Sequence, residues 1–218
     1  MQDKLFVDKD KKAKAQKIMD RLYKVYPKPY VELDYTTPFQ LLIATIMAAQ
    51  CTDKLVNTVT PALFKKYATI EDMANAHVED IDAIISKVTF HGNKAKNIKA
   101  SAEMIMDQYS GVVPETMEEL DALPGVARKT ANVVLNNAIG KPFGIAIDTH
   151  GIRLSHRLGL SDGKTPEKIE ADLMEFVSKD KWADFGNLLT LHGRHMCTAR
   201  PHSCENCPLE DLCPEYKK

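Results

Sequence analysis

Leu123-Pro-Gly-Val-Ala-Arg-Lys-Thr-Ala-Asn-Val-Val-Leu135 joins two helical stretches through one tight turn. Upstream, Thr116-Met-Glu-Glu119 has the form of a capping box that opens a short helix reaching Ala122. Downstream, Arg128 to Ile139 reads as a helix closed by Gly140 and Pro142. Between them Gly125 permits a left-handed backbone. A turn of this kind leaves the amides of Gly125, Val126 and Ala127, and those of the next helix's first turn, open. Convergent amides at a helix start bind phosphate without cationic side chains. An ordinary helix–helix connector reads the same way, so the turn needs company before it means DNA.

The flanking chain supplies helices on both sides. Lys11 to Tyr26 places Ala15, Ile18, Leu22 and Val25 on one stripe and stops at Pro27. Thr37-Pro38 is a cap followed by proline at the first helical position, with Phe39, Leu42, Ile43 and Ile46 behind it. Thr52 to Tyr67 is a further amphipathic run in which Pro61 is expected to kink the helix or start a new one. Val78 to Val88, Asn93 to Tyr109, Thr149 to Leu158, Thr165 to Val177 and Trp182 to Met196 complete the set. Only Gly144 to Ile147 reads as extended. The fold class is all-α.

The chain has 218 residues, of which 44% are hydrophobic and only 7% aromatic, enough for one large core or two modest ones. No apolar run approaches the roughly 18–20 residues of a membrane span. The first residues mix Asp and Lys without an apolar stretch, so no leader is expected and the placement expected is cytoplasmic, with no membrane partner. Net charge is −1, so no global basic field advertises nucleic acid, and any such site must be local.

Lys129 follows Arg128 in the first turn of the helix after the hairpin. The positive end of the helix dipole and the adjacent cation both disfavour a charged amine there. Such a lysine is a usable nucleophile toward a sugar carbon, and equally a phosphate-binding residue. Asp148, after Ile145-Ala-Ile147 and before Thr149-His150, suits a helix N-cap. It also suits a carboxylate that stabilises positive charge developing on a sugar.

Cys197, Cys204, Cys207 and Cys213 crowd the C-terminal segment, with Pro208 and Pro214 directly after two of them. Four thiolates in one short loop can wrap a tetrahedral zinc or an iron–sulfur cubane. Zinc ribbons pair two Cys-x2-Cys knuckles and this segment has one, which tilts the spacing toward the cluster. Arg194, His195, Arg200 and His202 surround the loop, and Arg194 and Arg200 are read as phosphate contacts. Cys51 stands apart as a small apolar group rather than a fifth ligand.

Taken together, the hairpin with Lys129, then Ile147-Asp-Thr-His150, then Leu191-His-Gly-Arg194 and the four cysteines resemble bacterial endonuclease III. That family comprises helix-hairpin-helix DNA glycosylases with a C-terminal four-iron–four-sulfur cluster. The resemblance runs from about Lys17 to the C-terminus. It implies two helical lobes with DNA in the cleft between them: a six-helix barrel at about 31–141, and a cluster lobe formed by 1–30 and 142–218. Lys129 then matches the family's nucleophile, Asp148 its catalytic aspartate and Gly125 to Ala127 its phosphate-binding turn. Gln50 matches the glutamine that fills the gap left by an extruded nucleotide. Phe90-His91 lies where the family has a Leu-Tyr pair wedging into the opposite strand.

The implied activity is a bifunctional glycosylase and abasic-site lyase, acting as a monomer on duplex DNA that carries oxidised pyrimidines or abasic sites. Three positions depart from the family pattern: Ala127 in place of a second hairpin glycine, Phe90-His91, and Gly151 where an apolar residue is more usual. The rival readings are a monofunctional mismatch glycosylase, a non-catalytic helix-hairpin-helix DNA-binding module with structural zinc, and a small electron carrier. Lys129 argues against the first, since those enzymes carry a different residue there. The long helical chain before the cysteines argues against the last.

Overall fold

The computed structural model describes residues 2–201 and 203–216. The described residues form helices and connecting turns, with no strand among them. They cluster into two compact units, Val31–Phe143 on one hand and Met1–Tyr30 with Gly144–Lys218 on the other.

Helix α1 (Gln2–Val25) belongs to the discontinuous unit. The contiguous unit begins with α2 (Pro38–Ala48), whose N-cap Thr37 hydroxyl accepts from the Gln40 amide. All of α2 from Leu41 to Met47 is buried, as expected of a helix apolar on every side. It packs on α3 (Asp53–Lys66), on α6 (His91–Tyr109) and on α8 (Arg128–Val134). Between these run α4 (Ile70–Ala74), α5 (Val78–Ile84) and α7 (Met117–Asp121).

Four local outcomes differ from the sequence expectation. Helix α3 passes unbroken through Pro61, because Val56, Val59 and Leu63 stay buried across it. Burying three such side chains, at about 1.5–3 kcal/mol each, outweighs the ~3 kcal/mol cost of an interior proline. Helix α4 was not anticipated, yet its signal is local: Thr69 and Asp72 form a complete capping box, each side chain accepting from the other's amide at 3.0 Å. The box expected at Thr116 is half formed. Its hydroxyl accepts from the Glu119 amide and donates to the Glu119 carboxylate at 2.7 Å, which keeps that carboxylate from the Thr116 amide. Finally, Leu135–Ile139 winds as a π-helix rather than extending α8, and Gly140 ends it at φ +75°. The Tyr35 hydroxyl donates to the Asn137 carbonyl within that widened turn, at 3.0 Å.

In the discontinuous unit, α9 (Thr149–Arg157), α10 (Pro166–Met174) and α11 (Trp182–His195) follow the extended Gly144–Ile147 segment. Their apolar faces close over Ala15, Ile18, Met19 and Leu22 of α1, joined by Ile145, Ile147 and Leu209. Polar ties hold α1 to the distant chain. The Tyr23 hydroxyl donates to Asp184 at 2.5 Å, while Arg21 pairs with Asp211 and donates to the Pro208 carbonyl at 2.9 Å.

Candidate functional site

The hairpin at Leu123–Val126 is a turn with proline second and Gly125 third, at φ +78°. The Val126 amide donates to the Leu123 carbonyl at 3.0 Å and closes it, as a type II turn does. This corrects the expectation that all three hairpin amides are open: Val126 spends its amide on the turn and buries its side chain, so it offers DNA neither. The Gly125 and Ala127 amides have no partner among the described residues. Helix α6 supports the turn from beneath. Ser101 donates to the Pro124 carbonyl at 2.7 Å, and a Cβ on Gly125 would meet the Asn97 side chain at 2.8 Å. Glycine is therefore required twice over, by backbone angle and by space. Ala127 sits at φ −113°, ψ 166°, an ordinary extended conformation, so the second glycine of the family pattern is not needed here.

Lys129 occupies the first turn of α8, exposed, and its side chain has no partner among the described residues. Beside it Arg128 stacks over the Phe143 ring, 5.5 Å from its centroid. The stack draws one cation of the pair to the side and leaves the other available.

Gln50 and Phe90 come together in the same unit through a single bond, from the Thr89 hydroxyl to the Gln50 carbonyl at 2.7 Å. Both are left-handed, with φ +55° and +56°, and both are exposed. Non-glycine residues held there cost on the order of 1–3 kcal/mol and cluster at functional sites. His91 begins α6 and contacts the Asp82 carboxylate through Nδ1 at 2.5 Å, so Phe90 is the more projecting of the two, at 64% exposure.

Asp148 caps α9, its Oδ1 accepting from the His150 amide at 2.9 Å and the Gly151 amide at 2.8 Å. Both sequence readings therefore bear on one carboxylate: capping fixes Oδ1, while Oδ2 makes no cap bond. Helix α11 crosses α9 closely at Gly193, where a Cβ would lie 2.7 Å from His150 Cβ. Arg153 on α9 donates to the Gly193 carbonyl at 2.7 Å and to the Cys197 carbonyl at 2.9 Å. Sequence reasoning missed Arg153 and Arg157, because only the packing of α9 on α11 brings them to the cysteine segment. At Gly151 a Cβ would meet nothing closer than 3.5 Å, so there is room for a side chain and no structural reason for its absence.

Cys197, Cys204, Cys207 and Cys213 line one recess, walled by Leu154, Leu158 and Leu209. Arg157 donates to Cys197 Sγ at 3.1 Å and to the Thr198 carbonyl at 2.9 Å, and Cys213 Sγ donates to the Arg157 carbonyl at 3.6 Å. Burial pushes the Cys207 thiol up; the three neighbouring thiols add to this, and a backbone hydrogen bond at Leu209 opposes it. Among the described residues no three His, Cys, Asp or Glu side chains converge as the ligands of one ion do. Four thiols around an apolar recess, with an arginine at one sulfur, nevertheless have the donor chemistry of an anionic thiolate centre. Cys51 is half-buried in the other unit, apart from this set. Arg194 is half-buried and Arg200 exposed beside the loop, while His202 lies outside the described residues.

Residues 43–179 match the model of the HhH-GPD superfamily base excision DNA repair proteins. The chain is 48% identical to endonuclease III of Synechocystis sp. over 94% of its length and 93% of that protein. It is 42% identical to endonuclease III of Escherichia coli K12, covering 95% and 97%. Among solved structures, it is similar to a trapped endonuclease III–DNA covalent intermediate in an estranged-adenine complex, with TM-score 0.88, 40% identity and coverage of 94% and 97%. A thermostable thymine-DNA glycosylase shares the fold at 23% identity and TM-score 0.79.

Proposed function

Because this chain belongs to the endonuclease III family of HhH-GPD base excision DNA repair proteins, and is a DNA glycosylase and abasic-site lyase, we propose that it removes oxidised pyrimidines from duplex DNA. It then nicks the strand 3′ to the abasic site. The observation that carries the reading is Lys129: a solvent-facing amine without a partner among the described residues, four positions past a glycine turn whose open amides suit phosphate.

The chemistry follows from the roles of an amine nucleophile and a carboxylate. Extrusion of the damaged nucleotide costs a few kcal/mol, less where pairing is already weak. Neutral Lys129 Nζ attacks the anomeric carbon; the glycosidic bond breaks, and its electron pair leaves with the base, which takes up a proton. Asp148 stabilises the positive charge that develops on the sugar and accepts the amine's proton, its backbone-bonded Oδ1 holding the group in register. Ring opening gives a Schiff base between Lys129 and the sugar. Loss of a C2′ proton and of the 3′ phosphate by β-elimination breaks the strand, and water then releases Lys129.

Cys197, Cys204, Cys207 and Cys213 would hold one four-iron–four-sulfur cluster. When bound, it supplies structural order to the segment that presents Arg194 and Arg200 to phosphates. Gln50 fills the gap left by the extruded nucleotide and Phe90 with His91 wedges into the opposite strand, the two forming one wedge, with the hairpin amides of Gly125 and Ala127 on the backbone. The protein acts as a monomer on duplex DNA in the nucleoid. No helix among the described residues is long and apolar enough to cross a membrane.

The deciding experiment is borohydride reduction in the presence of abasic duplex DNA. Wild type gives a covalent adduct, and Lys129→Ala gives none while keeping its helical spectrum. An adduct of undiminished yield in Lys129→Ala removes the lysine from its role.

A further inference from the structure

Lys94 lies in the first turns of α6 and is buried, with 6% of its surface exposed. A buried ammonium is expensive unless its donors are used, and here two of the three are. Nζ donates to the Met47 carbonyl at 2.7 Å and to the Ala49 carbonyl at 2.6 Å. These are the last turn of α2, where carbonyls lack intrahelical partners and the helix dipole favours a cation. The backbone amide of the same residue donates to the Phe90 carbonyl at 3.1 Å, the first helical bond of α6. Lys94 thus touches both left-handed turns: with its side chain the one entering Gln50, with its amide the one at Phe90. Thr89 closes the circuit by its bond to the Gln50 carbonyl.

We propose that Lys94 and Thr89 are positioning residues that lock the Gln50 and Phe90 turns into one rigid wedge, so that the two side chains enter a duplex in a fixed spacing rather than independently. This rests on the reading of Gln50 and Phe90 as the wedge. Neither turn is self-sustaining, since a left-handed Gln or Phe is disfavoured in isolation. Helix α2 ends at Ala48 with Ala49 as its C-cap and Gln50, not a glycine, in the left-handed position after it, so the clamp supports a helix stop that glycine would usually make. Sequence reasoning missed it, because the carbonyls that Lys94 Nζ reaches are 47 and 45 positions away in the chain.

The test separates duplex opening from lysine chemistry. Single-stranded abasic DNA needs no wedge, whereas a lesion in duplex does. Lys94→Met is expected to lower kcat/KM on a duplex lesion about 10- to 100-fold. Borohydride trapping on single-stranded abasic DNA should stay within about 2-fold of wild type. Thr89→Val changes an exposed side chain without threatening the fold, and should lower the duplex rate about 3- to 10-fold. Fluorescence of 2-aminopurine placed opposite the lesion should report slower insertion in both variants. If Lys94→Met loses its helical spectrum, Thr89→Val alone decides. Gln50→Ala and Phe90→Ala identify which idea is at fault. If these two slow duplex repair while Thr89→Val and a folded Lys94→Met do not, the clamp is refuted and the wedge stands. Wild-type duplex rates in Gln50→Ala and Phe90→Ala refute the wedge and the clamp with it. Equal loss on single-stranded and duplex substrates in a folded Lys94→Met also refutes the clamp.

Discussion

Gly193→Ala adds one methyl group at the crossing of α9 and α11, and its effect follows from the distances there. The new Cβ would lie 2.7 Å from His150 Cβ, 3.1 Å from Leu154 Cδ1 and 3.2 Å from Arg153 Nη2. Leucine and arginine ends can swing aside. The His150 Cβ cannot, because it is fixed to the α9 backbone two residues after Asp148. Carbon atoms in contact sit about 3.5–4.0 Å apart, so the start of α9 must retreat by about 1 Å. Alanine gains up to ~1 kcal/mol over glycine in a helix, and overpacking costs ~1–3 kcal/mol. With the helical gain at its lower bound of about 0.5 kcal/mol, net stability falls by no more than ~2.5 kcal/mol and the protein stays folded. Catalysis is less forgiving: a ~1 Å misplacement of a reacting group costs on the order of 100-fold. Base release under single-turnover conditions, with DNA affinity measured separately, is the assay. Release in Gly193→Ala at the wild-type rate would show that α9 does not need this register for Asp148 to work.

Gly151→Ala is the natural control on the same helix: its Cβ meets nothing closer than 3.5 Å, so thermal denaturation should show stabilisation of about 0.5–1 kcal/mol. Asp148→Asn keeps an equally good helix cap, so stability should move by less than about 0.5 kcal/mol while base release falls steeply; unchanged turnover refutes the catalytic assignment. Gly125→Ala combines a left-handed angle with a 2.8 Å approach to Asn97 and should cost about 2–4 kcal/mol in urea denaturation. Replacing Cys207 by serine should abolish visible absorbance from the four-cysteine centre and loosen the segment carrying Arg200, read as weaker, less salt-dependent DNA binding.

What the sequence disclosed were features whose cause is local. Caps at Thr37 and Asp148 each accept amides two or three residues on, and the side chain that does so is visible in the chain itself. The glycine turn and the cysteine spacing are local in the same sense. The Gly193 crossing, the Arg153 and Arg157 bonds to the cysteine segment and the Lys94 clamp depend on residues about 40 or more positions apart, which no periodicity records. The π-turn at Leu135–Ile139 and the unbroken α3 fall between, since neighbouring packing overrode a local preference in each. Helix α4 alone was legible and overlooked, for Thr69 and Asp72 carry the same kind of signature as Thr116 and Glu119.

The distance along the chain between α1 and its partners bears on how the protein is made. Tyr23 and Arg21 wait for Asp184, Pro208 and Asp211, which are 161 to 190 residues later. At about 5–20 residues per second of synthesis, that is a delay of roughly 10–40 s. Residues 31–143 have everything they need long before, and their unit can fold on the ribosome while α1 cannot dock. Throughout that interval Ala15, Ile18, Met19 and Leu22 have no core to enter, making the nascent N-terminal helix the segment on which a chaperone would act first.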